Sequence, residues 1–162
     1  MEKQALIERI ETFLSSVILE ELDKLQKASL SYMNFVIMGQ IIEVLGGFLD
    51  QKPMKAKGQS SRRFAQAVRY LFGGRYRLLN ENNLLYDKLR NQMTHAFIPG
   101  GDLILIGTEK EEGYTHLEVR DKRLVLVATT FHEDIRQACH RLLLLLREGK
   151  IKPKNIAFEH DR

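Results

Sequence analysis

The sequence predicts a mainly α protein: a bundle of about five helices with a small three-stranded antiparallel β-meander inserted before the last helix. Three observations carry this. Apolar residues recur every three or four positions through most of the 162 residues, the spacing that puts them on one helical face. Between residues 102 and 128 the pattern changes to short aliphatic runs separated by turn residues, as strands require. No linker or repeat divides the chain, and 44% hydrophobic with 28% charged side chains suits one domain that buries roughly two thirds of its unfolded surface.

From Gln4 to Ala28, Leu6, Ile10, Phe13, Leu14, Val17, Ile18, Leu22 and Leu25 form the apolar stripe of a long amphipathic helix. Ser31 is placed to cap a second helix. Its bulky, almost uncharged run through Phe35, Ile37, Ile41 and Leu45 implies burial on most sides, with a stop near Gly46-Gly47 or Asp50. Lys52 to Ser60 reads as a loop. A third helix follows Ser60 or Ser61, turns Phe64, Val68, Leu71 and Phe72 inward and ends at Gly73-Gly74. Asn80 or Asn82 can cap a fourth, with Leu85, Leu89, Met93 and Ala96 on its core side and Pro99-Gly100-Gly101 forbidding continuation. The strands are Leu103 to Ile106, His116 to Val119 and Leu124 to Val127. Thr130 with Glu133 makes a capping box for the last helix, which runs to Gly149. The expected domain is therefore 1–149, with 150–162 a fraying tail.

The longest wholly apolar run is Leu142 to Leu146, far short of the roughly 20 residues of a membrane-spanning helix. Met1 to Gln4 shows no secretory pattern, so a cytoplasmic protein is expected. Cys139 is the lone cysteine, which excludes an internal disulfide and a thiolate metal cluster built from this chain alone. His116, His132, His140 and His160 lack zinc-site spacing, and the Gly-Gly pairs belong to no phosphate-cradling signature. Neither a metal nor a cofactor is called for.

The net charge of +4 hides a strong asymmetry. Residues 1–50 carry four Lys/Arg against eight Asp/Glu, residues 51–90 carry ten against two, and residues 91–162 carry eleven against eleven. The middle stretch suits a polyanion; the alternative is a solvated basic surface matched by the acidic first helix. Tyr70, Tyr76 and Tyr86 interleave there with Arg69, Arg75, Arg77 and Lys88, a mixture that can stack bases and neutralise phosphates. Packing is the competing use, and Tyr86, beside the core stripe, reads as a buried ring with a hydrogen-bonded hydroxyl. Arg62 and Arg63 stand at a helix start, where phosphate binding and plain exposure compete.

Chemistry concentrates in Arg90-Asn91-Gln92-Met93-Thr94-His95. A permanently charged guanidinium can hold a phosphodiester and offset charge growing on its oxygens, while an imidazole can take the proton of a ribose 2′-hydroxyl. Asn91 and His95 share one helical stripe, as do Arg90 and Thr94. Arg90 and His95 stand about 140° apart on an ideal helix, so both reach one phosphorus only with additional geometry. The long Arg side chain, an unwound helix end or a second copy across a dimer axis can supply it.

These residues resemble the hallmark of the HEPN domains (higher-eukaryote and prokaryote nucleotide-binding): Arg, four to six residues, then His, often with a polar residue straight after the Arg. Gln40 to Gly46, Ser61 to Phe64 and Leu85 to Asn91 look similar to such proteins too, and the likeness spans roughly residues 36–146. The resemblance implies an all-helical bundle, a homodimer that joins two motifs in a basic cleft, and in many relatives a metal-independent endoribonuclease acting on RNA; other relatives are noncatalytic modules that bind a partner protein or nucleotide. The three strands depart from that plan. On the first reading His95 is general base, Arg90 stabilises the transition state, Asn91 positions imidazole or phosphate, and Thr94, Arg62, Arg63, Lys88 and Tyr86 support substrate.

Overall fold

The computed structural model describes residues 2–98, 101–107 and 112–158. Six helices and a small sheet are seen among them. Helix α1 covers residues 2–27 in three continuous pieces, Glu2–Thr12, a π-helical Phe13–Leu19 and Glu20–Lys27. Helix α2 is Ser31–Gly47. Helix α3 joins Ser60–Ala67 to a π-helical Val68–Phe72, and α4 is Gly74–Leu79. A 3₁₀ turn, Glu81–Asn83, leads into α5, residues 84–96, made of a π-helical Tyr86–Asn91 and Gln92–Ala96. Strands β1 (Leu103–Ile106), β2 (Val119–Arg120) and β3 (Arg123–Val127) precede the final helix α6, Ala128–Arg147.

Helix α2 is the hub of the bundle, packed on α1, α3, α5 and α6. Its apolar composition is the reason, since a helix without a polar face gains by burying every side. Phe35, Ile42, Leu45, Phe64, Leu71, Leu89, Phe131 and Leu142 are all at most 1% exposed. The α2–α3 contact is tightest at Gly46, where a Cβ would lie 1.8 Å from the carbonyl oxygen of Arg63. Only glycine fits there.

Several expectations are corrected. The sheet is mixed, in the order β1-β3-β2: β1 runs parallel to β3 from Leu103↔Leu124 to Ile106↔Val127, and only the short β2 is antiparallel. Sixteen residues separate β1 from β3 in the sequence, enough for the dozen or more that a connection between parallel strands takes. His116 stands outside β2 because its ring accepts the Val127 N–H. Helix α4 occupies a stretch, Gly74–Leu79, to which the sequence reading assigns no element. Helix α6 starts at Ala128, two residues before Thr130, so no capping box forms there. Leu30, not Ser31, occupies the position before α2, and no side chain caps it. Ala96 is exposed. Residues 150–158 lie against the body of the protein: Ile151 and Ile156 pack on the core, Phe158 meets Phe13 edge-on at 5.4 Å, and the half-buried Lys154 reaches the loop after α2. The expected break at 149/150 therefore falls within packed chain. Pro99 and Gly100 lie outside the described residues. No helix among them is long and apolar enough to cross a membrane.

Candidate functional site

Helix α5 is built by a core stripe of Leu85, Leu89 and Met93, each at most 1% exposed. Asn80, ahead of the helix, accepts the Tyr86 N–H on Oδ1 at 2.9 Å. The i→i+5 bond from Gln92 N–H to Asp87 O marks the wider π-helical turn that carries Arg90. Phe97 ends the helix in the left-handed region (φ 56°) and returns its N–H to Met93 O. Tyr32 of α2 secures that end: its hydroxyl donates to Phe97 O, and the two rings stack with centroids 5.8 Å apart.

The α2 and α5 helices run antiparallel, with Gly39 against Arg90 at one level and Tyr32 against Phe97 at the other. A Cβ on Gly39 would stand 3.3 Å from Arg90 Cα, so glycine is what lets the motif helix lie this close. Glu43, one turn further along α2, has Oε2 at 2.7 Å from Arg90 Nε and accepts Ser60 Oγ on Oε1 at 2.8 Å. The Arg90 N–H is not aimed at that oxygen. The contact is an ion pair, and both atoms are buried without a hydrogen bond. Asn34 Oδ1 and Thr94 Oγ1, which lie between the two levels on the same helices, are also buried and unpartnered. Each such atom in this α2–α5 seam forfeits hydration worth about 1–3 kcal/mol.

Arg90 is half-buried in this seam, whereas His95 is exposed on the last turn. No hydrogen bond joins them, nor does one join Asn91 to His95, so Asn91 does not orient the imidazole within one chain. Lys88 pairs with Asp102 at 2.7 Å, and together they line a cleft of about 250 Å³ walled by Leu79, Leu85, Leu103 and Leu124. Arg62 is exposed at the start of α3. The Tyr86 ring is half-buried edge-on to Phe64 at 5.5 Å, and its hydroxyl has no hydrogen bond to a described residue, contrary to expectation. Arg63 is corrected from substrate contact to interior structure. Its guanidinium donates to Asp50 at 2.8 and 3.3 Å, to Met54 O at 2.7 Å and to Pro53 O at 2.8 Å. Lys154 adds donations to Asp50, Gly47 O and Lys52 O. Burial by itself would raise the Asp50 pKa, but hydrogen bonds from Arg63, Lys154 and the Lys52 N–H outweigh it and hold the carboxyl at about 2.

Sequence reasoning missed Glu43, Ser60, Asn34 and Tyr32. Glu43 left a signal, because it is the sole charged residue of α2.

A second polar network lies apart from the motif. Val127 N–H donates to His116 Nδ1 at 3.0 Å, which leaves the proton on Nε2, 2.7 Å from the Tyr76 hydroxyl; that hydroxyl donates to Asp134 at 2.5 Å. Burial pushes the His116 pKa down to about 4 and raises that of Tyr76, with Asp134 adding to the latter. Arg75 donates twice to Leu117 O, at 2.8 and 2.6 Å. These bonds tie the β segment to α4 and α6. Cys139 is a core residue whose thiol burial pushes up to about 12. Compared with protein-family models, with curated proteins and with solved structures, the chain matches none.

Proposed function

We propose that this chain is a HEPN-type RNA-binding protein that cleaves RNA phosphodiesters without a metal ion. The observation that carries the reading is the half-buried guanidinium of Arg90, which Glu43 of α2 holds, on the helix α5 whose exposed last turn presents His95. His95 takes the 2′-hydroxyl proton, the 2′-oxygen attacks the adjacent phosphorus, and the 5′-oxygen leaves, giving a cyclic phosphate and, after protonation by water, a 5′-hydroxyl. Arg90 offsets the charge that grows on the phosphoryl oxygens. Asn91 contacts phosphate, since it makes no bond to the imidazole in one chain.

Arg90 and His95 leave the helix on different sides, so the reading requires a second copy, with the His95 of one chain meeting the Arg90 of the other. The exposed Leu30, Phe97 and Ile98 beside His95 supply apolar surface for that pairing. The same surface and the same divergence favour a second reading, a noncatalytic dimerisation module that binds a partner protein or nucleotide.

Incubation with mixed RNA in EDTA distinguishes the two. The parent should release fragments with cyclic-phosphate ends, and His95→Ala should cut about 10²- to 10⁴-fold more slowly. A loss under about threefold removes His95 from the chemistry, because a positioned base is worth far more. If the parent cuts nothing, the catalytic reading fails. A salt titration of RNA binding then separates polyanion binding, with a log–log slope near −0.7 per phosphate, from a flat response.

A further inference from the structure

The contact between Glu43 and Arg90 is not the one that stability alone selects. A guanidinium and a carboxylate pair best through two parallel N–H···O bonds, and Arg63 does this with Asp50 in the same molecule. Arg90 instead approaches Glu43 most closely through Nε, off the hydrogen-bond line, while Ser60 engages the other carboxylate oxygen. Nε is buried, so the 15% of the side chain that is exposed lies elsewhere on it. Neither Nη1 nor Nη2 has a hydrogen bond to a described residue. The guanidinium is thus held at one corner, with its two-nitrogen edge unmatched, and that edge is the face that fits two phosphoryl oxygens.

The charge balance adds a second consequence. The Glu43 carboxylate cancels most of the Arg90 charge at 2.7 Å and repels any anion that approaches the same guanidinium. A dianionic phosphate feels that repulsion about twice as strongly as a monoanionic diester. A like charge beside a binding site selects against the more highly charged ligand.

The geometry points to Glu43 and Ser60 as positioning residues that aim the Nη edge of Arg90 at a phosphodiester and set its preference for diesters over dianionic phosphate. This rests on the RNA-binding reading above, but it needs no cleavage. Ser60 fixes Glu43, Glu43 fixes Nε, and Gly39 lets the Arg90 backbone close in on α2.

The test uses the full chain and two probes at pH 8: a 2′-O-methyl-uridine octamer without terminal phosphate, which cannot be cut, and inorganic phosphate. Binding is followed by the ¹⁵N signal of Arg90 Nε–H in the parent, in Glu43→Gln and in Ser60→Ala. The parent should bind the octamer with a shift of that signal and prefer it to phosphate. Glu43→Gln keeps the side-chain shape without the charge and should shrink the preference by about tenfold. Ser60→Ala should keep the charge and weaken octamer binding by about threefold to tenfold, as for one lost hydrogen bond. An unchanged preference in a folded Glu43→Gln protein overturns the inference. If that variant does not fold, unchanged octamer binding in Ser60→Ala overturns it. Octamer binding that leaves the Arg90 signal unmoved also overturns it, even if unmodified RNA is cut. If the expected pattern appears while the parent leaves unmodified RNA intact in EDTA, the cleavage reading fails and the inference stands. Failure of the parent to bind either probe overturns both.

Discussion

Arg63 and Arg90 lie on neighbouring helices and meet acids from the same stretch of chain, Arg63 joining Asp50 just past α2 and Arg90 joining Glu43 within it. Arg63 is sealed: its side chain is 6% exposed, and two carboxylate oxygens and two carbonyls take its donors. Arg90 is held at one corner and left open on the other edge. The difference separates two uses of one side chain. A guanidinium with every donor satisfied stabilises a loop; one with unmatched donors near the surface is prepared for an anion.

The largest effect should come from breaking the sealed cluster. Arg63→Ala leaves Asp50 with Lys154 and the Lys52 N–H and removes the donors to Met54 O and Pro53 O, so denaturant melts should show a loss of about 3–5 kcal/mol. A loss under about 1 kcal/mol would erase the distinction between the two arginines.

The His116 network sharpens the comparison through pH. Its pKa is about 4 in the fold against an ordinary 6.5, so between those values the unfolded chain binds a proton that the folded chain refuses. Stability is therefore full above pH 6.5 and falls as pH drops toward 4, by up to about 3 kcal/mol. His116→Gln, which does not titrate, should flatten this part of the stability profile, and an equal slope in parent and variant would contradict a sealed network.

The smallest change in stability is expected at Arg90. Arg90→Ala should cost about 1–3 kcal/mol, since it leaves Glu43 Oε2 buried without its cation while Ser60 still serves Oε1. The same substitution should abolish the octamer binding described above. A loss as large as that of Arg63→Ala, with RNA binding intact, would place Arg90 among the structural residues.

Much of the helical layout was legible because its signals are local. The apolar stripe of α1, the apolar run of α2 and the Leu85, Leu89, Met93 series each repeat within a few residues; most of these side chains are buried, and Leu6, Phe13, Val17, Leu25 and Ile37 are half-buried. Strand β1 is found where the aliphatic run placed it. Boundaries set by distant atoms were missed. Thr130 and Glu133 have the spacing of a capping box, yet α6 begins earlier because β3 delivers the chain directly into it. Lys150 to Phe158 looked like a loose end because its anchors, Asp50, Gly47 and Phe13, are remote in sequence.

The candidate site divides in the same way. Residue types and spacing single out Arg90 and His95 as candidates for phosphodiester chemistry, and composition separates the acidic start of the chain from its basic middle. Only the tertiary structure decided that Arg63 is interior, that Lys88 belongs to Asp102 and that Glu43 meets Arg90. Periodicity reports which side of an element faces the core, because backbone geometry repeats over a few residues. Which β-strands pair, and which acid meets which base, depends on elements that come together only after the chain has closed on itself.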